Sequence, residues 1–288
     1  MLLRLRRRLP GGGQDEVTRH CYLDLLKKAV MNEIGIENEL RIHYLRDCIA
    51  EHRLADDVVM RDIRSRRPEA FAEYLEARLD GKLFRDQVAE FPYTMIGRKR
   101  LDNLELLLTR LIEEGVSGDV IECGVWRGGA SIFMRGVMKA LGAVDRTLWL
   151  ADSFRGLPAP ELPQDAGYDL TSFTALAIDV DTVREGLRRF DLLDDRVRFL
   201  EGWFADTLPT APIQRLALIR LDGDLYKSTM DSLEPLYPKL EVGGYVVVDD
   251  YGSVPPCRQA VHDFRAGHGV TAPIETIDWT GVYWRKEA

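Results

Sequence analysis

Four carboxylates stand in two short runs, Leu221-Asp222-Gly223-Asp224 and Val248-Asp249-Asp250. Each run closes an apolar stretch, 215–222 and 244–250, that reads as a buried strand. Parallel strands of one sheet finish along a common edge, so the acids are expected side by side there. Like charges gathered in one place raise each other's pKa and disfavour the fold unless a cation offsets them. Oxygen-only donors suit a hard divalent ion, Mg²⁺ more than Zn²⁺. Spacing alone leaves a second explanation open: Asp249 and Asp250 would turn the chain into Tyr251-Gly252, and Asp224 would cap the next helix.

A third run, Glu122-Cys123-Gly124-Val125-Trp126-Arg127-Gly128-Gly129, leads from a strand into a helix. Its glycines permit a tight bend and a close approach of backbone to ligand. The spacing is neither G-x-G-x-x-G nor a P-loop, so a plain strand-to-helix turn is an equal explanation. Asp152-Ser153 ends the next strand, where an acid can accept hydrogen bonds from ribose hydroxyls. Glycine loop and ribose acid together, without phosphate signals, point to a nucleoside cofactor that lacks a pyrophosphate.

These residues need a scaffold of alternating strands and helices, and the sequence supplies one. Strands are expected at 119–125, 147–152, 196–202, 215–222, 244–250, 274–278 and 281–285, with helices at 129–141, 228–240 and 256–266 among them. That alternation argues for an α/β protein with a parallel sheet covered on both faces. The last two strands are separated only by Trp279 and Thr280 and should form an antiparallel hairpin at one end. Residues 14–90 read as helical instead, with amphipathic spacing at 22–34, 39–54 and 68–84 and a polar connector at 61–69.

With 39 Lys plus Arg against 47 Asp plus Glu in 288 residues, the net charge is −8, which argues against nucleic acid as a partner. No apolar run is long enough to span a bilayer, and residues 1–10 carry four arginines without the apolar core of a secretory signal. The four cysteines (21, 48, 123, 257) are scattered, as expected of reduced thiols in a cytoplasmic protein.

The stretches YTMIGRKRLDNLE (93–105), GDVIECGVWRGGASIFMRGVMKA (118–140), LADSFRGLP (150–158), VRFLEGWFADTLP (197–209), LDGDLYKSTMDSLEPLYPKL (221–240) and GGYVVVDDYGSVPPCRQAVHDFR (243–265) resemble, in order, the macrocin O-methyltransferase family. The resemblance covers roughly residues 91–285. It implies a class I methyltransferase fold, Rossmann-like, with a seven-stranded, mostly parallel sheet and an antiparallel closing hairpin. It also implies S-adenosylmethionine and Mg²⁺ as cofactors, and a sugar hydroxyl of a glycosylated macrolide, aminocoumarin or similar antibiotic as the acceptor. Matched position by position, Thr94, Met95, Glu122, Gly124, Arg127, Gly128, Ser131, Asp152, Ser153, Gly202, Trp203 and Phe204 would line the cofactor pocket. Asp222, Asp249 and Asp250 match the metal acids, and Asp222 or Asp224 the general base. The family is expected to carry only a short stretch before the YTMIG segment, whereas about 90 residues precede it here; 22–30 looks family-like and 35–85 does not.

The segment 153–183, rich in Pro, Asp and Gly, reads as a lid over the pocket. Trp203 and Phe204 could stack on adenine or pack under the sheet, and His262 is a secondary candidate for the base. Two other functions stay open: a catechol-like phenol as acceptor, or a non-catalytic interaction module. The expected organisation is a helical region, 1–90, serving as substrate cover or as the seat of a homodimer or higher homo-oligomer, followed by a catalytic domain, 91–288.

Overall fold

A computed structural model describes residues 14–82 and 91–288. The basic segment at the amino end and the expected boundary at residue 90 lie outside the described residues. The elements run α1 (Gln14–Val30), α2 (Ile36–Ala50), α3 (Asp57–Arg61), α4 (Ile63–Arg66), α5 (Pro68–Asp80), α6 (Arg98–Glu113), β1 (Asp119–Cys123), α7 (Gly129–Ala140), β2 (Leu148–Asp152), α8 (Val180–Arg189), β3 (Val197–Glu201), α9 (Phe204–Thr207), β4 (Leu216–Leu221), α10 (Tyr226–Leu236), β5 (Leu240–Val248), α11 (Pro255–Gly267), β6 (Glu275–Thr276) and β7 (Val282–Arg285).

The seven strands form one sheet in the order β3-β2-β1-β4-β5-β7-β6. β1 to β5 are parallel, while β7 runs antiparallel to β5 and β6 antiparallel to β7, as the short link through Trp279 and Thr280 requires. The order reverses between β1 and β4, and ligand sites of such sheets form beyond the carboxyl ends of the strands at that reversal.

Alternation along the strands divides the core. Val120, Leu150, Leu218 and Val247 face a layer containing residues of α1, α6, α7 and α8. Ile121, Ala151, Ile219 and Val246 face the other way, toward α10 and α11. α1 lies so close to α7 that a Cβ at Gly136 would collide with Leu26. A separate cluster, built on Ile36, Leu40, Tyr44, Cys48, Ile63 and Tyr74, holds α2, α4 and α5 together. The connector at 61–69 thus contains a short helix, and Ile63 anchors it with no exposed surface.

Three further helices, α6, α8 and the four-residue α9, go beyond those expected from the sequence. α10 starts and stops earlier than the expected 228–240: Pro238 follows Tyr237, and the chain tightens into a 3₁₀ turn at Tyr237–Lys239.

Candidate active site

Strand register builds the site. Cys123 pairs with Ala151 on one side and with Leu221 on the other, and Leu221 pairs with Val248. The next residue on each strand is therefore Asp152, Gly124, Asp222 and Asp249, a row across four neighbouring strands. Backbone bonds carry the row past the last paired residues: Gly124 N–H donates to Ala151 O at 2.9 Å, Asp222 N–H to Cys123 O at 2.8 Å, and Asp249 N–H to Leu221 O at 2.9 Å. Gly124, at φ 89°, lies so close to its neighbour that a Cβ there would collide with the Asp222 backbone. This glycine thus serves the contact between two chain segments. A Cβ at Gly129 would likewise strike Tyr93 and Thr94, and one at Gly128 would press on Val183 at 2.9 Å.

Asp222, Asp249 and Asp250 form the one acidic or metal-ligating cluster of its kind among the described residues, with one oxygen from each lying within 4.8 Å of the others. Two arginines hold it. Arg220 is fully buried on β4 and faces the same side as Asp222. It donates to Glu122 Oε1 at 2.5 Å and to Asp222 Oδ2 at 2.8 Å, and its Nη2 lies 2.9 Å from Asp249 Oδ1. Arg100 on α6 pairs with Asp249 Oδ2 and donates through Nε to Asp278 Oδ2 at 3.0 Å. Glu122 also accepts from the Ser131 hydroxyl.

Burial pushes the carboxyls of this edge upward. Glu122 rises to about 7 although Arg220 and Ser131 oppose the shift. Asp222 rises through burial and the charge of Asp249, against the pull of Arg220 and Arg100. Asp250 is driven well above the ordinary carboxylate range by burial and the neighbouring Asp224, Asp222 and Asp249. Asp224 rises to about 7 by burial and the charges of Asp222 and Asp249. Asp224 and Asp250 have no ion-pair partner among the described residues, so a hard cation would meet a charge deficit here, and the donor set fits Mg²⁺.

Asp224 departs from the sequence expectation. It does not continue the strand, in which it would share a face with Asp222 two residues before it; instead Asp224 adopts φ 57°, and its N–H donates to Asp250 Oδ2 at 3.2 Å. Both acids face one cavity. Nor does Asp224 cap α10. That role falls to Asp165, from the segment after β2, which is fully buried and accepts from Tyr226 N–H at 2.6 Å and Lys227 N–H at 3.1 Å.

The cavity beside the row measures about 260 Å³. Of the residues expected around a cofactor, it brings together Met95, Gly124, Asp152, Ser153, Trp203 and Phe204. Thr94, Glu122 and Ser131 are buried behind its wall, and Gly128 caps α7. Arg127 donates to Pro92 O at 3.4 Å and stacks on Trp126, and Gly202 turns the chain at φ 145° after β3. Asp152 is pinned by backbone N–H groups of Val125 at 2.6 Å and Phe154 at 2.7 Å, and burial raises its pKa despite them. Trp203 stays 40% exposed at the wall, whereas Phe204 packs against the core under α10. His262, hydrogen-bonded to the Tyr251 hydroxyl at 2.9 Å, is absent from the cavity wall.

Sequence reasoning missed Trp126, Lys227 and Asp231, which also line the cavity, and it left Leu157 and Leu176 undistinguished within the 153–183 segment. Trp126 ties that segment down by donating from Nε1 to Ala175 O at 3.0 Å.

The family model for macrocin O-methyltransferases matches residues 19–286. The chain belongs to that family. As a macrocin O-methyltransferase family member it is an O-methyltransferase, and the reading as a non-catalytic module falls. The expectation that the family begins near YTMIG is corrected, because most of α1 and all of α2 to α5, including 35–85 as far as it is described, lie inside the matched region. The chain is 48% identical over 273 residues, 93% of its length and 96% of the relative's, to the mycinamicin III 3''-O-methyltransferase of Micromonospora griseorubida. It is 44% identical over 277 residues, 95% of both chains, to the 8-demethyl-8-(2,3-dimethoxy-alpha-L-rhamnosyl)-tetracenomycin-C 4'-O-methyltransferase of Streptomyces olivaceus. Among solved structures, the O-methyltransferase NovP superposes with a TM-score of 0.77 at 40% identity, covering 94% of this chain and all of that one.

Proposed function

We propose that this methyltransferase uses S-adenosylmethionine and Mg²⁺ to methylate a sugar hydroxyl on a glycosylated natural product. The observation that carries the reading is the cluster Asp222, Asp249 and Asp250, of which Asp222, together with Asp224, lines a cavity walled also by Asp152, Met95 and Trp203, while Asp249 and Asp250 stand behind that lining. Relatives that cover nearly the whole chain are named for methylating sugars on antibiotics, and this favours a sugar over a catechol-like phenol.

The protein's contribution is alignment and proton removal. Methyl transfer is an in-line displacement, so fixing donor and acceptor in the cavity supplies several kcal/mol of the rate enhancement. Asp152 and Trp203 would hold the nucleoside end of the donor, and Met95 and Gly124 line the way to the acids. Asp222, Asp249 and Asp250 would ligate the metal, which when bound acidifies a hydroxyl that it contacts. We assign the base to Asp224. Asp222 is already engaged by Arg220, while Asp224 has a raised pKa and no cationic partner among the described residues. The segment between β2 and α8, pinned through Asp165 and Ala175, closes one side and excludes water.

A homo-oligomer belongs to the same proposal. Val17 and Leu25 on α1 and Leu45 and Ile49 on α2 leave apolar surface exposed. A cytoplasmic setting fits four unpaired cysteines, and no helix of the described residues is long and apolar enough to cross a membrane.

The test is methylation of a glycosylated antibiotic precursor, followed by mass spectrometry, in the wild type, with excess EDTA, and in Asp250→Asn. Asp250 is a cleaner site than Asp249, whose removal would take one of the anionic partners from each of two buried arginines. Loss of turnover with EDTA and in Asp250→Asn, with S-adenosylhomocysteine binding retained, is expected. Full activity in either case overturns the metal reading.

A further inference from the structure

Arg100 belongs to a motif, YTMIGRKRLDNLE, whose basic residues play no part in the proposed chemistry, yet it is 6% exposed and reaches the acid row. We propose that Arg100 is a positioning residue that holds the metal affinity of the site down, by neutralising part of Asp249's charge from within the fold. The inference rests on the metal reading above.

The three acids are unequally served. Asp249 has a guanidinium at each oxygen, Arg100 at Oδ2 and Arg220 at Oδ1; Asp222 has Arg220 alone; Asp250 has no ion pair among the described residues. A partly buried carboxylate cluster without its cation would repel itself apart, and the two arginines let the cluster stand formed before any ion arrives. The same positive charges oppose an incoming dication, and they occupy oxygens that it needs. Arg100 is divided between two anions, because its Nε donates to Asp278 Oδ2. How much of its charge bears on Asp249 therefore depends on Asp278. Asp278 is itself fixed independently, since its Oδ1 accepts from Thr280 N–H at 3.0 Å and Gly281 N–H at 2.8 Å.

Two variants must then move the affinity in opposite directions. Arg100→Gln removes the opposing charge and frees Asp249 Oδ2, so Mg²⁺ should bind about tenfold tighter. Asp278→Asn keeps its Oδ1 contacts but leaves the charge of Arg100 to Asp249 alone, so Mg²⁺ should bind several-fold weaker. Arg100→Lys keeps the charge without the two-pronged geometry and should bind Mg²⁺ less tightly than Arg100→Gln. A merely structural arginine predicts weaker binding in Arg100→Gln and no rescue by Lys.

The experiment is calorimetric titration of MgCl₂ into the metal-stripped full-length protein and its three variants, with circular dichroism to verify folding. Turnover should fall in Arg100→Gln while S-adenosylhomocysteine affinity holds, because Asp249 loses its orientation. Equal or weaker Mg²⁺ binding by folded Arg100→Gln, or unchanged or tighter binding by Asp278→Asn, overturns the inference and leaves the metal reading standing. If Arg100→Gln does not fold, Asp278→Asn decides alone. A wild type that binds no Mg²⁺ overturns both the inference and the metal reading.

Discussion

Asp224 is a non-glycine residue at φ 57°, a conformation that costs on the order of 1 kcal/mol and persists where surrounding structure holds it. Here it turns a carboxyl toward the acids of the neighbouring strands. Asp224→Asn should lower kcat about 10²- to 10⁴-fold, measured with saturating cofactor, while S-adenosylhomocysteine affinity stays unchanged. The same carboxyl gives the metal-free protein a pH-dependent stability. Its folded pKa, about 7, lies above an unfolded value near 4, so between those limits the folded state binds more protons than the unfolded chain. Stability should fall as pH rises from about 4 through about 7. Melting in EDTA at pH 5 and pH 8 will show a lower Tm at the higher pH, a smaller difference in Asp224→Asn, and a rescue by Mg²⁺ larger at pH 8. The acids themselves were legible, because LDGD and VDD each close an apolar run. The arginines that serve them were not singled out, although Arg220 carried a signal. A charge two residues before Asp222 in a buried strand must share its face, and Glu122 stands opposite it on β1.

At the scale of elements, α10 begins without a cap from its own neighbourhood. Its first N–H groups are satisfied by Asp165, some sixty residues earlier in the chain, from within the segment read as a lid. Asp165→Ala should cost about 1 kcal/mol in stability. It should also raise the KM for S-adenosylmethionine severalfold, because Leu157 and Leu176 of the same segment line the cavity. A stability loss without a KM change would reduce Asp165 to a plain cap. Periodicity located all seven strands, most plainly β1, β2, β4 and β5, which are largely buried runs flanked by Gly or Asp. It could not show that the strands stop at Cys123 and Val248, short of the functional residues, since Gly124 and Asp249 continue the chain direction without further ladder pairing. Nor could it find the long-range cap, which leaves no local pattern around Tyr226.

Across the whole molecule, helix α1 is stitched to α6 by Lys27 with Asp102 and Glu105 and by Arg98 with Asp24, and Leu23, Leu26 and Val30 share the core of the sheet. If α2 also packs against a second copy, the pair Leu45→Glu and Ile49→Glu should release a monomer in size-exclusion chromatography; an unchanged elution volume would move the interface elsewhere. The helical character of this region was plain from its spacing. Its division was not, since the amphipathic stripes of α1 and α2 look alike in sequence and only packing shows that they serve different cores. That division bears on descent. Because α2, α4 and α5 keep an apolar centre of their own, mutations inside it need not be answered by changes around the acids. A lineage of tailoring enzymes could then trade or reshape this bundle to meet new scaffolds while its methyl-transfer machinery stays unaltered, and chimeras exchanging residues 36–80 with a relative would show that inheritance directly.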